Sequence, residues 1–512
     1  MIHTLINVIR TFLSGDGALI LPEMELVLFA LGILLIDRWL AANEKYWNAV
    51  LALAGTAFSG FTLYVQLGKM EALRAVNPES PGLLGFRQSV LVDPFFLFFA
   101  ALFLAATALI ILLSVCHLDL VEEKRGAYYA LLLFACAGMV LLVSGVNMLV
   151  IFVALELVAF SYFLLTGFAC GGQHATTPSR NFAFLWACSS FGFAGGFLML
   201  YRVFQTTNLG RIGAILETRL DNGVAFGGLT AWPVPVALAL LVIGVFFLAD
   251  VAPLHWFTPG IYDSTAAPVA AFLSIAAKTA GFALFLRFFA FLFIFAHEKW
   301  IHLWGGAAIV SLLWGNIAAL RQTNVMRLLA YGSIAQTGLI LLGFVAGNET
   351  GFTGTMFYLC MHVYMIIGAF GVLIVIQRRG AAVTKLTDLD GLYRRRRAAA
   401  LLLLIFMMSL AGIPPTAGFL AKYYVVKALL AAPHPELAAF AVANALLSIG
   451  YYGRVVAHAF RRPSGDASST ELPVSTISSG QTVALTAAVF VSLAAGLYPE
   501  PFMRMVHYAF GQ

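Results

Sequence analysis

The sequence predicts an all-α, polytopic membrane protein, and three observations carry that prediction. Hydrophobic residues make up 61% of the chain and charged residues 11%, at a mean hydropathy of +0.91. A soluble domain carries about a quarter charged residues, so this chain is solvated mainly by lipid. Apolar runs recur along its whole length, each long enough for a helix to cross a hydrocarbon core about 30 Å thick. None shows the period-two alternation of an outer-membrane barrel strand.

The runs place about fourteen transmembrane helices, near 21–40, 47–67, 94–116, 126–146, 148–168, 182–204, 232–257, 268–296, 301–320, 325–346, 353–377, 399–431, 436–458 and 482–498. Basic residues concentrate in alternate loops: Arg38 and Lys45, Lys124 and Arg125, Arg180, Arg321 and Arg327, Arg378 to Lys385, Arg394 to Arg397, and Arg454 to Arg462. The other side holds fewer, among them Arg10, Lys69, Arg87, Arg211 and Lys299. The positive-inside rule then puts both termini outside. The run Arg394–Arg397 reads as a stop on the cytoplasmic face, with a lipid or partner site as the alternative. The start of the chain lacks the basic–apolar–small pattern of a cleaved signal peptide.

An internal echo organises the spans. LADVAPLHWF at 248–257 superposes without a gap on LAGIPPTAGF at 410–419, and the same shift carries spans seven and eight onto spans twelve and thirteen. Five spans per unit is an odd number, so two such units have opposite orientation in the membrane, the pattern of inverted-repeat transporters. The expected organisation is N-terminal helices in 1–125, a first repeat in 126–296, a second in 297–460, and a C-terminal loop and helix in 461–512. Pro253 in span seven, and Pro414 with Pro415 in span twelve, remove backbone donors, and Gly412 and Gly418 loosen the second site. Both spans are therefore expected to be discontinuous. A broken helix at membrane depth has to line protein or a wet cavity; a simple packing kink is the plainer alternative.

Glu156, Lys278 and Lys422 stand inside apolar spans. Such charges face the bundle interior and mark proton relays or ion paths. Burial brings the charged and neutral forms of lysine and glutamate closer in free energy, which a relay needs. A static ion pair that fixes packing is the alternative. Lys427, nearer its span end, reads as snorkelling. Arg287 cannot lose its proton and reads as snorkelling or pairing. His255, His362 and Asp250 are further relay candidates, with a structural, hydrogen-bonded role the alternative for the histidines, more so for His362 than for His255. Cys116, Cys136, Cys170, Cys188 and Cys360 show no paired spacing and read as small buried hydrophobes. No Gly-rich phosphate loop, metal-ligand cluster or nucleophile constellation appears, and nothing suggests nucleic acid.

Several long motifs together carry a resemblance: ILPE with LLID after it (20–23, 34–37), DPFFLFF (93–99), RGAYYALLLFACAGMVLLVSG (125–145), ALELVAFSYFLLTGF (154–168), PLHWFTPGIYDSTAAPVAAFLSIAAK (253–278), QTNVMRLLAYGSIAQTG (322–338), DLDGLYRR (388–395) and SLAGIPPTAGFLAKYY (409–424). Over nearly its whole length the chain resembles the antiporter-like membrane subunits of proton-pumping NADH–quinone oxidoreductase, respiratory complex I, a family shared with multisubunit cation/proton antiporters. The ILPE opening and the RGAYYALLLFA run favour the subunit N branch. The resemblance implies fourteen helices with two broken ones, and one proton route driven by quinone chemistry elsewhere. It implies no cofactor or metal on this chain, with NADH, flavin, iron–sulfur clusters and quinone in other subunits. The implied partners are a sibling antiporter-like subunit, small membrane subunits and lipid, in a bacterial inner membrane. By motif, Glu156 takes the fifth-helix glutamate, Lys278 the central relay and Lys422 the terminal exchanger.

The departures from the family pattern matter as much. The family's seventh-helix lysine stands five residues before the break proline, where this chain has Leu248. Asp250 is the nearest ionisable residue, and at about 100° per residue it is expected on a different helical face from Leu248. The sixth-helix lysine is absent from SRNFAFLW, and Gln336 stands where siblings have histidine. Glu156 is thus left without its usual counter-charge. Two alternatives stay open: a hydrogenase-linked or cation/proton antiporter subunit, and a mainly structural subunit with a degenerate first half-channel.

Overall fold

The computed structural model describes residues 15–41, 44–78, 80–115, 125–167, 176–221, 232–293, 297–377, 384–462 and 477–511. Helices α1 (Leu21–Ile36) and α2 (Trp47–Val76) are followed by an antiparallel hairpin, β1 (Leu83–Gly85) with β2 (Val90–Val92). Then come α3 (Pro94–Ser114), α4 (Arg125–Ser144), α5 (Met148–Thr166), α6 (Thr176–Phe204) and α7 (Leu209–Asp221). The centre of the chain forms α8 (Pro233–Leu248), α9 (Thr258–Ser264), α10 (Ala267–Phe288), α11 (His297–Arg321), α12 (Val325–Val345) and α13 (Glu349–Ile376). A short α14 (Leu392–Arg395) precedes α15 (Arg397–Ala411), α16 (Ala417–Ala431), α17 (Pro435–Phe460), α18 (Ser479–Leu497) and α19 (Glu500–Phe510).

Eleven of these helices are long and apolar enough to cross a membrane. The remaining three expected spans differ for physical reasons. The first, α1, is a 16-residue helix. The twelfth is split into α15 and α16, and the seventh, expected over 232–257, is helical only in α8 up to Leu248, with the short α9 beyond its expected end. The hairpin, and the amphipathic helices α7 and α19, lie outside the expected spans, because their signal is not apolar length.

Polar side chains start the helices where the loops end. Asp93 accepts from Phe96 N (2.7 Å), Asn147 from Leu149 N (2.9 Å), Asn324 from Arg327 N (3.1 Å) and Asn348 from Gly351 N (2.8 Å). Each satisfies an N–H that the first turn leaves free. Cationic side chains close several C-termini: Arg396 donates to Val375 O of α13 (2.8 Å), and Arg454 to Ala319 O of α11 (3.1 Å). A positive group at the carbonyl end complements the helix dipole. The Arg394–Arg397 run is therefore partly structural, and Arg395 also donates to Asp390 O (2.6 Å).

The loops gather into two sets, as alternating spans require. Asn147 Nδ2 donates to Thr207 Oγ1 (2.9 Å) and Asn208 Nδ2 to Gln88 O (2.6 Å). In the other set Arg327 pairs with Asp263 (2.7 Å), Val325 N donates to Thr384 O (2.7 Å), and His458 meets Asp390 (2.7 Å). At the centre, nearly every residue of α10 and α12 is buried, while α2, α6 and α17 keep one face outward. Cys136 is buried as expected, but Cys188 on α6 is exposed and Cys360 on α13 only partly buried, which corrects the buried reading for these two. Cys116 and Cys170 lie outside the described residues.

Candidate functional site: two helix breaks and the polar axis between them

The two breaks share one backbone plan. Helix α8 stops at Leu248 and α15 at Ala411. The turns after them place Asp250 (φ +56°) and Gly412 (φ +83°) in the left-handed region, followed by cis peptides at Ala252–Pro253 and Pro414–Pro415. These pairs of positions are the ones that the sequence echo aligns. The prolines themselves are exposed, so the donor-free side of each turn faces outward and the polar groups turn in.

In the second break the freed groups find partners. Lys422, 7% exposed, donates to Leu410 O (2.9 Å), Ala411 O (2.8 Å) and Ser448 Oγ (3.3 Å). Its ammonium thus closes the carbonyl end of α15, where the dipole is negative. Ser409 Oγ accepts from Gly418 N (3.2 Å) and closes the start of α16. A Cβ on Gly412 would come within 2.7 Å of Lys422 Cδ, so that turn has to be bare where the lysine stem passes. Gly412→Ala is expected to cost about 1–2 kcal/mol from the left-handed backbone alone and to displace Lys422; the melting temperature of the purified complex checks it. Lys427 is exposed on α16, as snorkelling requires.

Lys278, fully buried on α10, donates to Ser333 O (2.8 Å) and Ser333 Oγ (2.5 Å) of α12. One turn further along α12, Gln336 Nε2 donates to Leu410 O (2.9 Å), the carbonyl that also receives Lys422. Tyr358 donates to Gln336 Oε1. Lysine, serine, glutamine and lysine therefore stand along one polar axis through α12. His362 on α13 is fully buried, feels the charge of Lys278, and has both ring nitrogens without a hydrogen-bond partner. His255 is buried in the first break with Nδ1 unpartnered, its ring 5.9 Å from that of Trp314.

The first break differs in chemistry. Asp250, 4% exposed, accepts from Thr258 Oγ1 (2.7 Å). Ala252 N donates to Ser311 Oγ (3.0 Å). The expectation that Asp250 faces away from Leu248 is corrected: both line one cavity of about 30 Å³, with Tyr162, Thr258 and Tyr262. The helical-wheel rule fails because α8 has ended and the left-handed residue turns the chain back. Glu156 on α5 is half-buried, accepts from Trp186 Nε1 (3.1 Å), and has no ion pair among the described residues. It is not hydrogen-bonded to Asp250 or Lys278.

Some polar groups escaped sequence reasoning. Asp93 holds Arg287 through Nη1–Oδ2 (2.5 Å) and Nη2–Oδ1 (3.1 Å), and Arg287 also donates to Val143 O (2.5 Å). Glu23 is buried with Ser144 donating to it (3.2 Å). Both acids lie in quoted motifs, ILPE and DPFF, where their position at a span start masks their burial. Among the described residues, no three or more His, Cys, Asp or Glu gather into a metal-binding group.

Buried lysines along an axis between two interrupted helices define the antiporter-like class of polytopic membrane subunit. The comparisons agree. The family model for the transmembrane region of NADH:quinone oxidoreductase and Mrp antiporters matches residues 145–448. NADH-quinone oxidoreductase subunit N 1 of Koribacter versatilis is 37% identical over 502 residues, covering 97% of this chain and 95% of that one. In respiratory complex I from Thermus thermophilus with bound aureothin, a chain 26% identical superposes with a TM-score of 0.76, over 94% of this chain and 99% of its own. A chain of the Mrp complex from Dietzia sp. shares 21% identity at a TM-score of 0.76, over 95% and 96%, a likeness of fold. The chain belongs to the NADH:quinone oxidoreductase/Mrp antiporter transmembrane family, as an antiporter-like membrane subunit of complex I.

Proposed function

We propose that this subunit carries one proton route through the membrane arm of the complex, with Lys278 as the central relay and Lys422 as the exchanger at its far end. The observation that supports this reading most is the ligation of the two lysines. Both are buried, and their hydrogen-bond partners are carbonyl and hydroxyl oxygens, with no carboxylate in ion-pair contact among the described residues. Neutral oxygens accept from an ammonium and also from the N–H groups of an amine. A paired carboxylate would instead hold the ammonium form. His362 on α13, near Lys278, has both ring nitrogens without a hydrogen-bond partner.

In this reading the subunit is the non-redox part of the enzyme. Electrons pass through NADH, flavin, iron–sulfur and quinone sites of other subunits, and this chain contributes ionisable side chains and a rigid bundle. It sits in a bacterial inner membrane with both termini periplasmic, flanked by a sibling antiporter-like subunit and small membrane subunits. Leu248 is the observation that favours the second reading, a mainly structural subunit. One variant separates them. Lys422→Met in the intact complex is expected to lower proton translocation by inverted vesicles about tenfold or more, with NADH oxidation by an artificial acceptor retained. Full translocation by the assembled variant sinks the proton-route reading and leaves the structural one.

A further inference from the structure

We propose that Asp250 is the proton-exchanging group of the first helix break, working with Lys278 through the cavity that Leu248 and Asp250 share. This rests on the reading of Lys278 as a relay. The repeat-related turns supply the first argument. In the second break, a side chain grown from the left-handed residue Gly412 would run into Lys422, so that turn points at the ionisable group. In the first break the corresponding residue, Asp250, carries a side chain itself, and the helix that follows offers no lysine: α9 reads TPGIYDS. The carboxylate thus stands at the turn that in the second break meets a lysine.

Its surroundings suit exchange. Asp250 is buried yet held by a single hydroxyl, Thr258. The cavity of about 30 Å³ beside it exceeds the roughly 10–15 Å³ that one water needs. Tyr162 and Tyr262 supply hydroxyl-bearing walls, and Tyr262 lies beside Ser274 and Ser333. Ser333 in turn holds Lys278 and lies 3.5 Å from Ser274 Oγ. Gly281, one turn past Lys278, brings α10 against the end of α8, where an added Cβ would meet Ala249 N at 2.9 Å. Asp250 and Lys278 act on each other electrostatically without a direct ion pair. Glu156 is engaged elsewhere, with Trp186.

The step is a balanced proton transfer. The Lys278 ammonium gives a proton toward Ser333; each hydroxyl or cavity water on the way gives one proton as it takes another; the Asp250 carboxylate receives the last. The products are a neutral amine and a neutral carboxylic acid, and the reverse step restores the two charges. Only N–H and O–H bonds change.

The test uses the assembled complex in inverted membrane vesicles. Asp250→Asn keeps an oxygen for Thr258 but has no exchangeable carboxyl; Asp250→Glu keeps the carboxyl. Asp250→Asn is expected to lower proton translocation about tenfold or more, while Asp250→Glu restores a large part of it. Turnover-induced infrared difference spectra are expected to show a carboxylic acid band that Asp250→Asn removes. Wild-type translocation in Asp250→Asn overturns the proposal, as does equal loss in both variants with lowered assembly, which marks a structural turn. If Asp250→Asn translocates normally while Lys422→Met does not, only the Asp250 assignment falls. If both translocate normally, the proton-route reading falls with it.

Discussion

Arg287→Met is expected to lower the stability of the assembled subunit by about 3–5 kcal/mol, the scale for breaking a buried ion pair by removing one partner. The guanidinium meets both oxygens of Asp93, the carbonyl of Val143 and the ring of Phe95 at 4.5 Å. It thereby ties α10 to the start of α3 and the end of α4. Methionine replaces the stem volume but leaves the Asp93 carboxylate buried without its cation. Asp93 also accepts from Phe96 N, so the second variant has to preserve that cap. Asp93→Asn does so. In the double variant no charge is stranded, and Arg287→Met is expected to cost less than it does alone. Melting of the purified complex and the amount of subunit in the membrane measure both. Equal cost in the two backgrounds would mean that packing, rather than the charge, holds these helices.

Lys278→Arg is expected to abolish proton translocation, by about a hundredfold, while keeping the positive charge. Arginine stays protonated at every working pH. A static ion-pair or scaffold role survives that change; a relay does not. Ser333 offers a carbonyl and a hydroxyl, both acceptors, so a cation is still satisfied there. Lys278→Met serves as the companion, removing the charge as well. Translocation in vesicles, with assembly checked by NADH oxidation through an artificial acceptor, separates the cases. Wild-type pumping by Lys278→Arg would remove Lys278 from the route and leave it as a buried packing charge.

Much of the architecture was legible because lipid imposes it. Length and apolar content reveal a span whatever it packs against, and eleven long helices follow from that alone. The breaks were legible too, since a proline in the interior of an apolar run removes a backbone donor and interrupts the helix there. Lys278, Lys422 and Glu156 stood out because a charge in such a run is costly. The hairpin and α7 were not legible, because short strands and amphipathic helices carry no apolar-length signal. Buried Glu23 and Asp93 were hidden at span starts, where acids are ordinarily solvated.

By itself, then, the sequence determined the class of protein, the approximate positions of the spans, the two interruptions and the charges that stand inside apolar runs. Tertiary structure alone decided what each charge meets. The ligands of Lys278 come from α12, and those of Lys422 from α15 and α17. Glu156 met Trp186 instead of a lysine, and Asp250 turned back to the cavity it shares with Leu248. The physical reason is range. Composition and periodicity are local properties of one helix, whereas a buried proton site is assembled from groups far apart in the chain, and a single left-handed residue at a helix end is enough to change which face a side chain shows.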